Sequence, residues 1–341
     1  MPLFARCIGM CRQKTSSAVL PDGEDTRAVS AALRLVREGL AQVTLMGRPF
    51  VVRNLVRDVL RKEGGGGVAL SVVDPASPEL LERNIVEYMA MQEAKGKPVS
   101  SDDAAKSMRC SLAAGAMMVR RGEAEVGVGG NIASTADMLR AGIRIIGTAP
   151  GSKTVSSFFF MISPGNTPEE RTLLVFSDAG VIPEPTPEQL VDIAIASAGQ
   201  YSSMTGKPPR VAMLSFSTYG SAKHPRAELM RNAAAQVREK RPDLIIDGEL
   251  QFDAATVPAV AKSKAPGSPV EGQANVFIFP SLEAGNISYK IAQRLGGYTA
   301  LGPLLQGLGG GWHDLSRGCS AEDIYQVVLV GTALERGRVG A

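Results

Sequence analysis

A hydroxyl, a guanidinium and a carboxylate stand close together in the segment Asp314–Asp323, which has the sequence DLSRGCSAED. Ser316, Arg317 and the acidic residues that flank them are the kinds of groups that a site for an acyl phosphate needs. The spacing also fits a simpler role, because Ser320 and Asp323 are three residues apart before an apolar run, as in a helix capping box. The sequence leaves both roles open for this segment.

A second candidate is the glycine-rich segment Gly127–Asp137, GVGGNIASTAD, which follows an apolar run and opens a helical pattern. Unpaired backbone N–H groups and the helix dipole attract anions at such a point, so the segment predicts a phosphate cradle or, equally, a tight turn. It has neither the G-x-G-x-x-G pattern with an acidic residue about 20 positions further on nor the G-x-x-x-x-G-K-[ST] pattern. A nicotinamide site and a P-loop are therefore not indicated.

Two weaker candidates involve carboxylates and histidines. Glu249 and Asp253 follow an apolar run, at the end of a strand where open α/β sheets bind ligands, although a turn is the simpler interpretation. The two histidines, His224 and His313, lie far apart and have no metal-ligand spacing around them, which disfavours metal chemistry.

The elements that must position these residues alternate in type. Short apolar runs flanked by Gly, Pro or Asp are typical of buried strands, and the segments between them have helical periodicity, so the first half of the chain predicts a parallel sheet. The predicted strands are Ser17–Leu20, Gln42–Met46, Val68–Val73 and Glu125–Val128, and the predicted helices are Thr26–Glu38 and Asp103–Arg121.

The alternation of predicted strands and helices is interrupted at Lys153. Two apolar runs, Thr154–Ser163 and Thr172–Ser177, are separated by Pro164–Pro168 and a few charges, a gap that suits an antiparallel hairpin and is too short for a crossover helix. A second α/β region follows. Its predicted elements are a helix at Pro187–Ser202 capped by Thr186, strands at Arg210–Phe216, Leu244–Asp247 and Asn275–Pro280, an apolar run after Gly302, a loop at Gly309–Gly311 and a helix at Ser320–Arg336.

Length and composition limit the class of protein. The 341 residues suggest two domains, and 44% hydrophobic with 21% charged residues indicates a globular chain. A net charge of +3 is too small to argue for nucleic acid binding, and the apolar runs are too short to cross a membrane. The four cysteines lack paired spacing, which suits a reducing cytoplasm, and the first dozen residues are expected to be an extension without a secretory signal.

A series of motifs carries a resemblance to a known family. The chain resembles the phosphate acetyltransferase, or phosphotransacetylase, family from Ser17 to Leu334, and most of all its short type tied to ethanolamine utilisation. The motifs are STADMLRAG at 134–142, KTVSS at 153–157, MLSFS at 213–217, the segments 247–255, 264–276 and 280–295, and DLSRGCS at 314–320.

The resemblance implies a reaction and a fold. The reaction is reversible transfer of an acetyl group between acetyl phosphate and coenzyme A, giving acetyl-CoA and phosphate, with no metal or redox cofactor. The fold is α/β, with two α/β/α domains like those of the isocitrate and isopropylmalate dehydrogenases. Residues 1–150 and 303–341 would form a discontinuous first domain and residues 151–302 an inserted second one, with a cleft between them. A cytoplasmic homodimer, or one inside a bacterial metabolic compartment, is also implied.

Residue roles follow from the same resemblance. Ser316, Arg317 and Asp323 match the catalytic positions of the C-terminal motif, and Arg140, Ser134 and Thr135 match a substrate-binding segment. Asp323 would act as the base for the coenzyme A thiol, Arg140 and Arg317 would bind the phosphate, and Ser316 would stabilise the oxyanion.

Two positions depart from the family pattern. Gln92 stands where an arginine is usual before a Lys-Gly pair, so a phosphate or coenzyme A contact is expected to be lost there. Gly309–Gly311 precedes the catalytic motif where a proline is usual, which predicts a more flexible loop and a Trp312 that touches substrate.

Three other functions compete with this one. A propionyl or butyryl transferase of the same family would share every motif. A non-catalytic scaffold protein is suggested by Gln92 and the altered loop, but the retention of Ser316, Arg317 and Asp323 together argues against it. A nicotinamide and metal dehydrogenase of the same architecture would need a cluster of aspartate ligands, and the sequence contains no convincing one.

Overall fold

The computed structural model describes residues 2–63, 68–165, 167 and 171–339, and these fall into two compact units. The five-strand unit comprises residues 4–149 and 308–339, and the six-strand unit comprises residues 150–307 with residues 2 and 3. Helices and strands alternate along both, so the predicted α/β class is confirmed. Among the described helices, none combines the length and the apolar character needed to span a bilayer.

The strands and helices occur in the following order. The strands are β1 (Ser16–Leu20), β2 (Ala41–Met46), β3 (Ser71–Val73), β4 (Val126–Gly129), β5 (Ser156–Ile162), β6 (Leu173–Ser177), β7 (Arg210–Leu214), β8 (Ile245–Leu250), β9 (Val276–Ile278), β10 (Thr299–Gln306) and β11 (Gly311–Asp314). The helices are α1 (Pro2–Gln13), α2 (Thr26–Arg37), α3 (Pro49–Glu63), α4 (Pro78–Ala94), α5 (Ser101–Met108), α6 (Ser111–Arg120), α7 (Thr135–Ala141), α8 (Pro187–Thr205), α9 (Pro225–Lys240), α10 (Phe252–Thr256), α11 (Pro258–Lys264), α12 (Leu282–Arg294) and α13 (Ala321–Val339).

The sheet of the five-strand unit is parallel throughout, in the order β11-β4-β1-β2-β3. Ser16 Oγ lies 2.8 Å from Thr332 Oγ1 of α13, whereas Val19, an odd number of residues away, faces Gly115 of α6. Successive residues of a strand point to opposite faces. Helices therefore cover both faces of this sheet, which explains why its strands are almost continuously apolar.

Two expectations about helices in this unit were wrong. The predicted helix Asp103–Arg121 is two helices, because the chain leaves helical geometry at Cys110, which caps the start of α6 in an extended conformation. The apolar positions keep their spacing across the break, so periodicity alone gave no sign of it. Residues 2–12 of the expected extension are instead part of α1, whose Cys7 and Cys11 are fully buried.

The six-strand unit contains a mixed sheet in the order β10-β5-β6-β9-β7-β8. The predicted hairpin is confirmed, since β5 and β6 pair in antiparallel register; Asn166 and Pro168 of its predicted turn lie outside the described residues. The predicted capping of α8 is confirmed by a reciprocal pair of hydrogen bonds between Thr186 and Gln189. Strand β10 continues to Gln306, past the predicted domain limit at residue 302.

Trp312 does not touch substrate from a flexible loop, contrary to the expectation. It lies in β11, is fully buried, and donates a hydrogen bond from Nε1 to the Met138 carbonyl at 3.0 Å. Its cross-strand neighbour in β4 is Gly127, where a Cβ atom would lie 2.3 Å from the indole. The glycine is therefore required by the indole ring packed over it, and the pair fixes β11 beside β4.

Gly127→Ala should destabilise the five-strand unit by about 1–3 kcal/mol, the usual cost of overpacking a core. Gly9→Ala in α1 is the matched control, because a Cβ atom there meets nothing within 4 Å. Alanine also favours a helix over glycine, so the control should be neutral or stabilising by up to about 1 kcal/mol. Urea unfolding followed by fluorescence of Trp312, the single tryptophan, measures both variants. Wild-type stability of Gly127→Ala would contradict this packing argument.

Candidate active site

The carboxyl ends of β1, β4 and β11 lie side by side at one edge of the parallel sheet. From β1 the chain passes through α2 to β2 on one side, whereas β4 lies on the other side, so the strand order reverses between β1 and β4. Open α/β sheets bind ligands outside their carboxyl edge at such a reversal. The loops 21–25, 130–134 and 315–320 meet at this edge, and the last of them contains the predicted catalytic motif.

Ser316 and Arg317 lie exposed in the loop that follows β11. The Ser316 hydroxyl accepts a weak hydrogen bond from the Gly318 amide at 3.3 Å. Within the described part of the chain, the Arg317 guanidinium makes no hydrogen bond or ion pair. The neighbouring Cys319 is buried, and burial raises the pKa of its thiol to about 11, so it is not a thiolate nucleophile. The loop thus presents a hydroxyl and an uncompensated cation to solvent.

Asp323 caps the helix α13, as the spacing predicted. Its Oδ2 accepts hydrogen bonds from the Ser320 amide at 2.8 Å and the Ser320 hydroxyl at 2.9 Å, and its own amide donates to Ser320 Oγ at 3.1 Å. The carboxylate is half-buried, and among the described residues nothing is bonded to Oδ1. One oxygen therefore holds the helix start while the other stays available, so capping and a chemical role are compatible.

The backbone cradle predicted after β4 is already filled by a side chain. Asp22 Oδ2 accepts hydrogen bonds from the amides of Gly130, Ile132 and Ala133 at 2.9, 3.0 and 3.2 Å. The segment does bind an anion, as predicted. The anion is a carboxylate of the chain itself and not a phosphate.

Three residues of the predicted substrate-binding segment also have partners of their own. Ser134 caps α7 and donates to Asp137 Oδ2 at 2.7 Å, and Thr135 donates to Asp314 Oδ2 at 2.6 Å. Arg140 pairs with Asp137 one turn away and remains half-exposed. Their roles toward a substrate stay predictions.

Arg140 borders a cavity of about 420 Å³ that no sequence pattern indicated. Tyr88, Cys110 and Arg144 are among the other residues that line it. Gln92, which replaces the usual arginine, is buried in α4. Lys95, the lysine of the Lys-Gly pair, donates from Nζ to the Arg144 carbonyl at 2.9 Å. Arg140 and Arg144 are thus the guanidiniums at this cavity.

Asp314 ends β11 beneath the catalytic loop and is fully buried. Burial raises the pKa of its carboxyl to about 6, and the nearby charge of Asp22 adds to that effect, whereas the hydrogen bond from Thr135 opposes it. Within the described residues, its Oδ1 has no hydrogen-bond partner. The motif contained this residue, but spacing alone assigned it no function.

Arg27, at the start of α2, joins three loops and was missed by the sequence analysis. Its guanidinium forms a bidentate pair with Asp25 and donates to the carbonyls of Asn131, Arg317 and Cys319, each at 2.8 Å. The only signal in the sequence was the acidic stretch after β1, at the carboxyl end of a predicted strand.

The side chains of the remaining candidate residues are paired within the chain or buried. Glu249 lies inside β8 and not after it, and its buried carboxylate binds Arg231 through two hydrogen bonds. Asp253 pairs with Lys264. His313 is buried, and burial lowers its pKa to about 4, which keeps the imidazole neutral. Among the described residues, no group of three His, Cys, Asp or Glu side chains is placed to hold a metal ion.

An exposed hydroxyl and a cation at the carboxyl edge of a parallel sheet suit an anionic ligand. A profile of the family described as Phosphate acetyl/butaryl transferase matches residues 3–332. The chain belongs to this family, and it is an acyltransferase.

Individual relatives agree over the whole length. The phosphate acetyltransferase of Thermoanaerobacterium thermosaccharolyticum is 41% identical over 96% of this chain and 98% of its own. The solved structure of a phosphotransacetylase from Streptococcus pyogenes is 40% identical and matches with a TM-score of 0.89 over 98% of each chain. The EutD phosphotransacetylase from Staphylococcus aureus is 38% identical, with a TM-score of 0.84 over 97% of this chain and 99% of its own. The resemblance to the short family type is therefore confirmed.

Asp314→Asn should remove a pH-dependent part of the stability. The folded pKa of about 6 exceeds an unfolded value of about 3.9, so the contribution of Asp314 is fully present below about pH 4 and is lost as the pH rises through 6. Two pKa units correspond to roughly 3 kcal/mol. Urea unfolding measures the free energy of unfolding of the variant relative to wild type. This difference should rise by up to roughly 3 kcal/mol between pH 4 and pH 7. The exposed Asp102→Asn is the control. A difference that is equal at both pH values would refute the shift.

Proposed function

We propose that the chain catalyses reversible transfer of an acetyl group between acetyl phosphate and coenzyme A, which gives acetyl-CoA and phosphate. The observation that carries this proposal is the Ser316 and Arg317 pair, a hydroxyl and a guanidinium that is unpaired among the described residues, both exposed at the carboxyl edge of a parallel sheet. The relatives with this name, about 40% identical over nearly the whole chain, support the choice of the acetyl group and of coenzyme A.

The proposed reaction is a direct displacement in a ternary complex. The thiol of coenzyme A gives its proton to Asp323, and the sulfur forms a bond to the acetyl carbon. The carbonyl electron pair moves to oxygen and then returns as the bond from carbon to the phosphate oxygen breaks. Phosphate leaves with both electrons of that bond. No metal or redox cofactor enters this proposal.

Three side chains lower the barrier in this scheme. Arg317 and Arg140 bind the phosphate, for which the planar guanidinium provides paired hydrogen bonds. Ser316 donates to the oxyanion, and loss of one such donor typically costs about 10²–10³ in rate. Ser316 itself is not the nucleophile, because both histidines are committed elsewhere: His313 is buried and His224 caps α9 in the six-strand unit.

Proton transfer is the step that most needs assistance. An ordinary thiol and an ordinary carboxylic acid differ by about 4.6 pKa units, so the transfer is uphill by roughly 6 kcal/mol. A cation beside the sulfur stabilises the thiolate. Arg317 lies in the loop just before Asp323 and has no carboxylate partner among the described residues. We infer that it stabilises the thiolate as well as binding the phosphate.

We also infer that the protein is a cytoplasmic homodimer, or one inside a bacterial metabolic compartment tied to ethanolamine use. The homodimer, the location and the link to ethanolamine use are what the family resemblance of the sequence implies. The alternative substrates are propionyl and butyryl phosphate, and the description of the family names butaryl as well as acetyl transferases.

Purified protein mixed with acetyl phosphate and coenzyme A should form a thioester, measured by its ultraviolet absorbance. Acetyl phosphate should give a higher kcat/KM than propionyl or butyryl phosphate. Arg317→Ala and Arg140→Ala should each raise the KM for acetyl phosphate about 10- to 100-fold, since hydrogen bonds to charged groups contribute about 1.5–3 kcal/mol. Absence of turnover would contradict the proposed reaction, and unchanged KM values in both variants would refute the phosphate contacts.

Asp323→Asn should lower kcat about 10²- to 10⁴-fold with little change in stability. The carboxamide oxygen still accepts from the Ser320 amide and caps α13, whereas it cannot take the thiol proton. Glu322→Gln is the matched control, because it removes the neighbouring carboxylate that pairs with Arg34 and should leave kcat near wild type. Near-normal turnover of Asp323→Asn would end its role as the base.

A further inference from the structure

Arg27 joins the three loops at the carboxyl edge of the five-strand unit. Its Nη1 donates to the carbonyl oxygens of Arg317 and Cys319, both at 2.8 Å, on either side of Gly318. Its Nη2 donates to the Asn131 carbonyl, also at 2.8 Å. The first pair of contacts holds the loop after β11, and the third contact holds the loop after β4.

Asp25 orients this guanidinium. It caps α2 by accepting from the Arg27 amide at 2.8 Å, and its two oxygens accept from Nε and Nη2 of the same side chain. The side-chain amide of Asn131 donates to Asp25 Oδ2 at 3.0 Å. Both members of the pair are therefore fixed to backbone or to each other, and neither depends on a flexible partner.

All five N–H groups of Arg27 are used in these contacts. Nε donates to Asp25, the two hydrogens of Nη1 have two carbonyl acceptors, and Nη2 donates to Asp25 and Asn131. A guanidinium has five such donors and no acceptor. Arg27 thus has no donor left for a substrate, in contrast to Arg317, whose guanidinium has no partner within the described part of the chain.

The loop that Arg27 holds has little else to fix it. Apart from the Ser320–Asp323 cap at its end, the hydrogen bonds within this loop among the described residues are a turn from the Cys319 amide to the Ser316 carbonyl at 2.9 Å and the weak bond from the Gly318 amide to Ser316 Oγ. Side chains that must meet a reacting group need accurate placement, and a displacement of about 1 Å can cost about 10²-fold in rate. The backbone of Ser316 and Arg317 needs an anchor of this kind.

We propose that Arg27 is a positioning residue of the acyl transfer: it holds the 316–319 backbone so that Ser316 and Arg317 face the acyl phosphate, and it does not touch substrate itself. The catalytic part of this inference rests on the proposed function. A lysine cannot replace it, because an ammonium group lacks the planar fork that reaches three carbonyls and a carboxylate at once.

The test compares Arg27→Ala and Arg27→Lys with Arg121→Ala. Arg121 is a matched control, since it is a well-bonded arginine of the same unit that pairs with Glu87 and Glu123 away from the loop. Both Arg27 variants should lose kcat, by about 10²-fold for alanine, and the KM for acetyl phosphate should rise by less than it does in Arg317→Ala. Arg121→Ala should lose thermal stability and keep its kcat. An effect on KM alone would mean that Arg27 binds substrate. An equal loss of kcat in Arg121→Ala would mean that Arg27 contributes only to general stability.

A double-mutant cycle with Arg317→Ala tests whether Arg27 acts through the loop. Arg27→Ala should slow the Arg317→Ala variant less than it slows wild type, because only Ser316 is left to be misplaced once the guanidinium of Arg317 is gone. Rate losses that multiply would overturn the proposal.

Hydrogen exchange separates this inference from the proposed function, because it needs no substrate. The Cys319 amide should exchange at least tenfold faster in Arg27→Ala than in wild type, and at the wild-type rate in Arg121→Ala. If wild type fails to turn over acetyl phosphate, the proposed function is wrong, and this exchange result alone decides whether Arg27 holds the loop. Unchanged exchange in Arg27→Ala would refute the anchoring.

Discussion

The pairing of buried and half-buried charges with loop backbone is the constraint on which the site depends. Strands that end together at the carboxyl edge of a parallel sheet leave their following loops with amides and carbonyls that neither the sheet nor a helix pairs, and each such group costs roughly 1–3 kcal/mol if buried without a partner. Asp22 supplies the acceptor for three amides, and Arg27 supplies donors for three carbonyls. The loops are thereby held by charges that come from the chain itself.

This internal pairing determines which charges remain for a ligand. Carboxylates neutralise Arg27, and Asp22 fills the amide cradle, so neither can attract an outside anion strongly. Arg317 is different, because its backbone carbonyl is held by Arg27 while its guanidinium points outward without a partner among the described residues. An anion that approaches this edge therefore meets one uncompensated cation, next to the Ser316 hydroxyl. The tight pair of Trp312 and Gly127 sets the strands that carry both loops.

The sequence predicted the elements whose signals are local. The strands β1, β2 and β4, the hairpin of β5 and β6, and the caps at Thr186 and Ser320 depend on short apolar runs or on residues a few positions apart. The break between α5 and α6 escaped prediction because the apolar spacing continues across it. Trp312 was misplaced because a run of three glycines before it suggested a loop and gave no hint that the indole covers another glycine.

The site could be predicted only in part, for a related reason. Ser316, Arg317 and Asp323 lie within one motif, but Arg27 reaches Cys319 across 292 residues, and Asp22 reaches Gly130 across 108. Spacing in one sequence says nothing about such contacts, because the order of the strands in the sheet creates them. The same strand order also buries Asp314 and so raises the pKa of its carboxyl, an effect that its neighbours in the sequence do not reveal.

A crystal structure of the protein with phosphate and coenzyme A bound tests the central claim most directly. We predict that the phosphate oxygens lie within hydrogen-bond distance of the guanidiniums of Arg317 and Arg140, with the contacts between Arg27 and the loop retained. Phosphate bound to the amides of residues 130–133 in place of Asp22, or bound away from the carboxyl edge of the five-strand unit, would contradict the account.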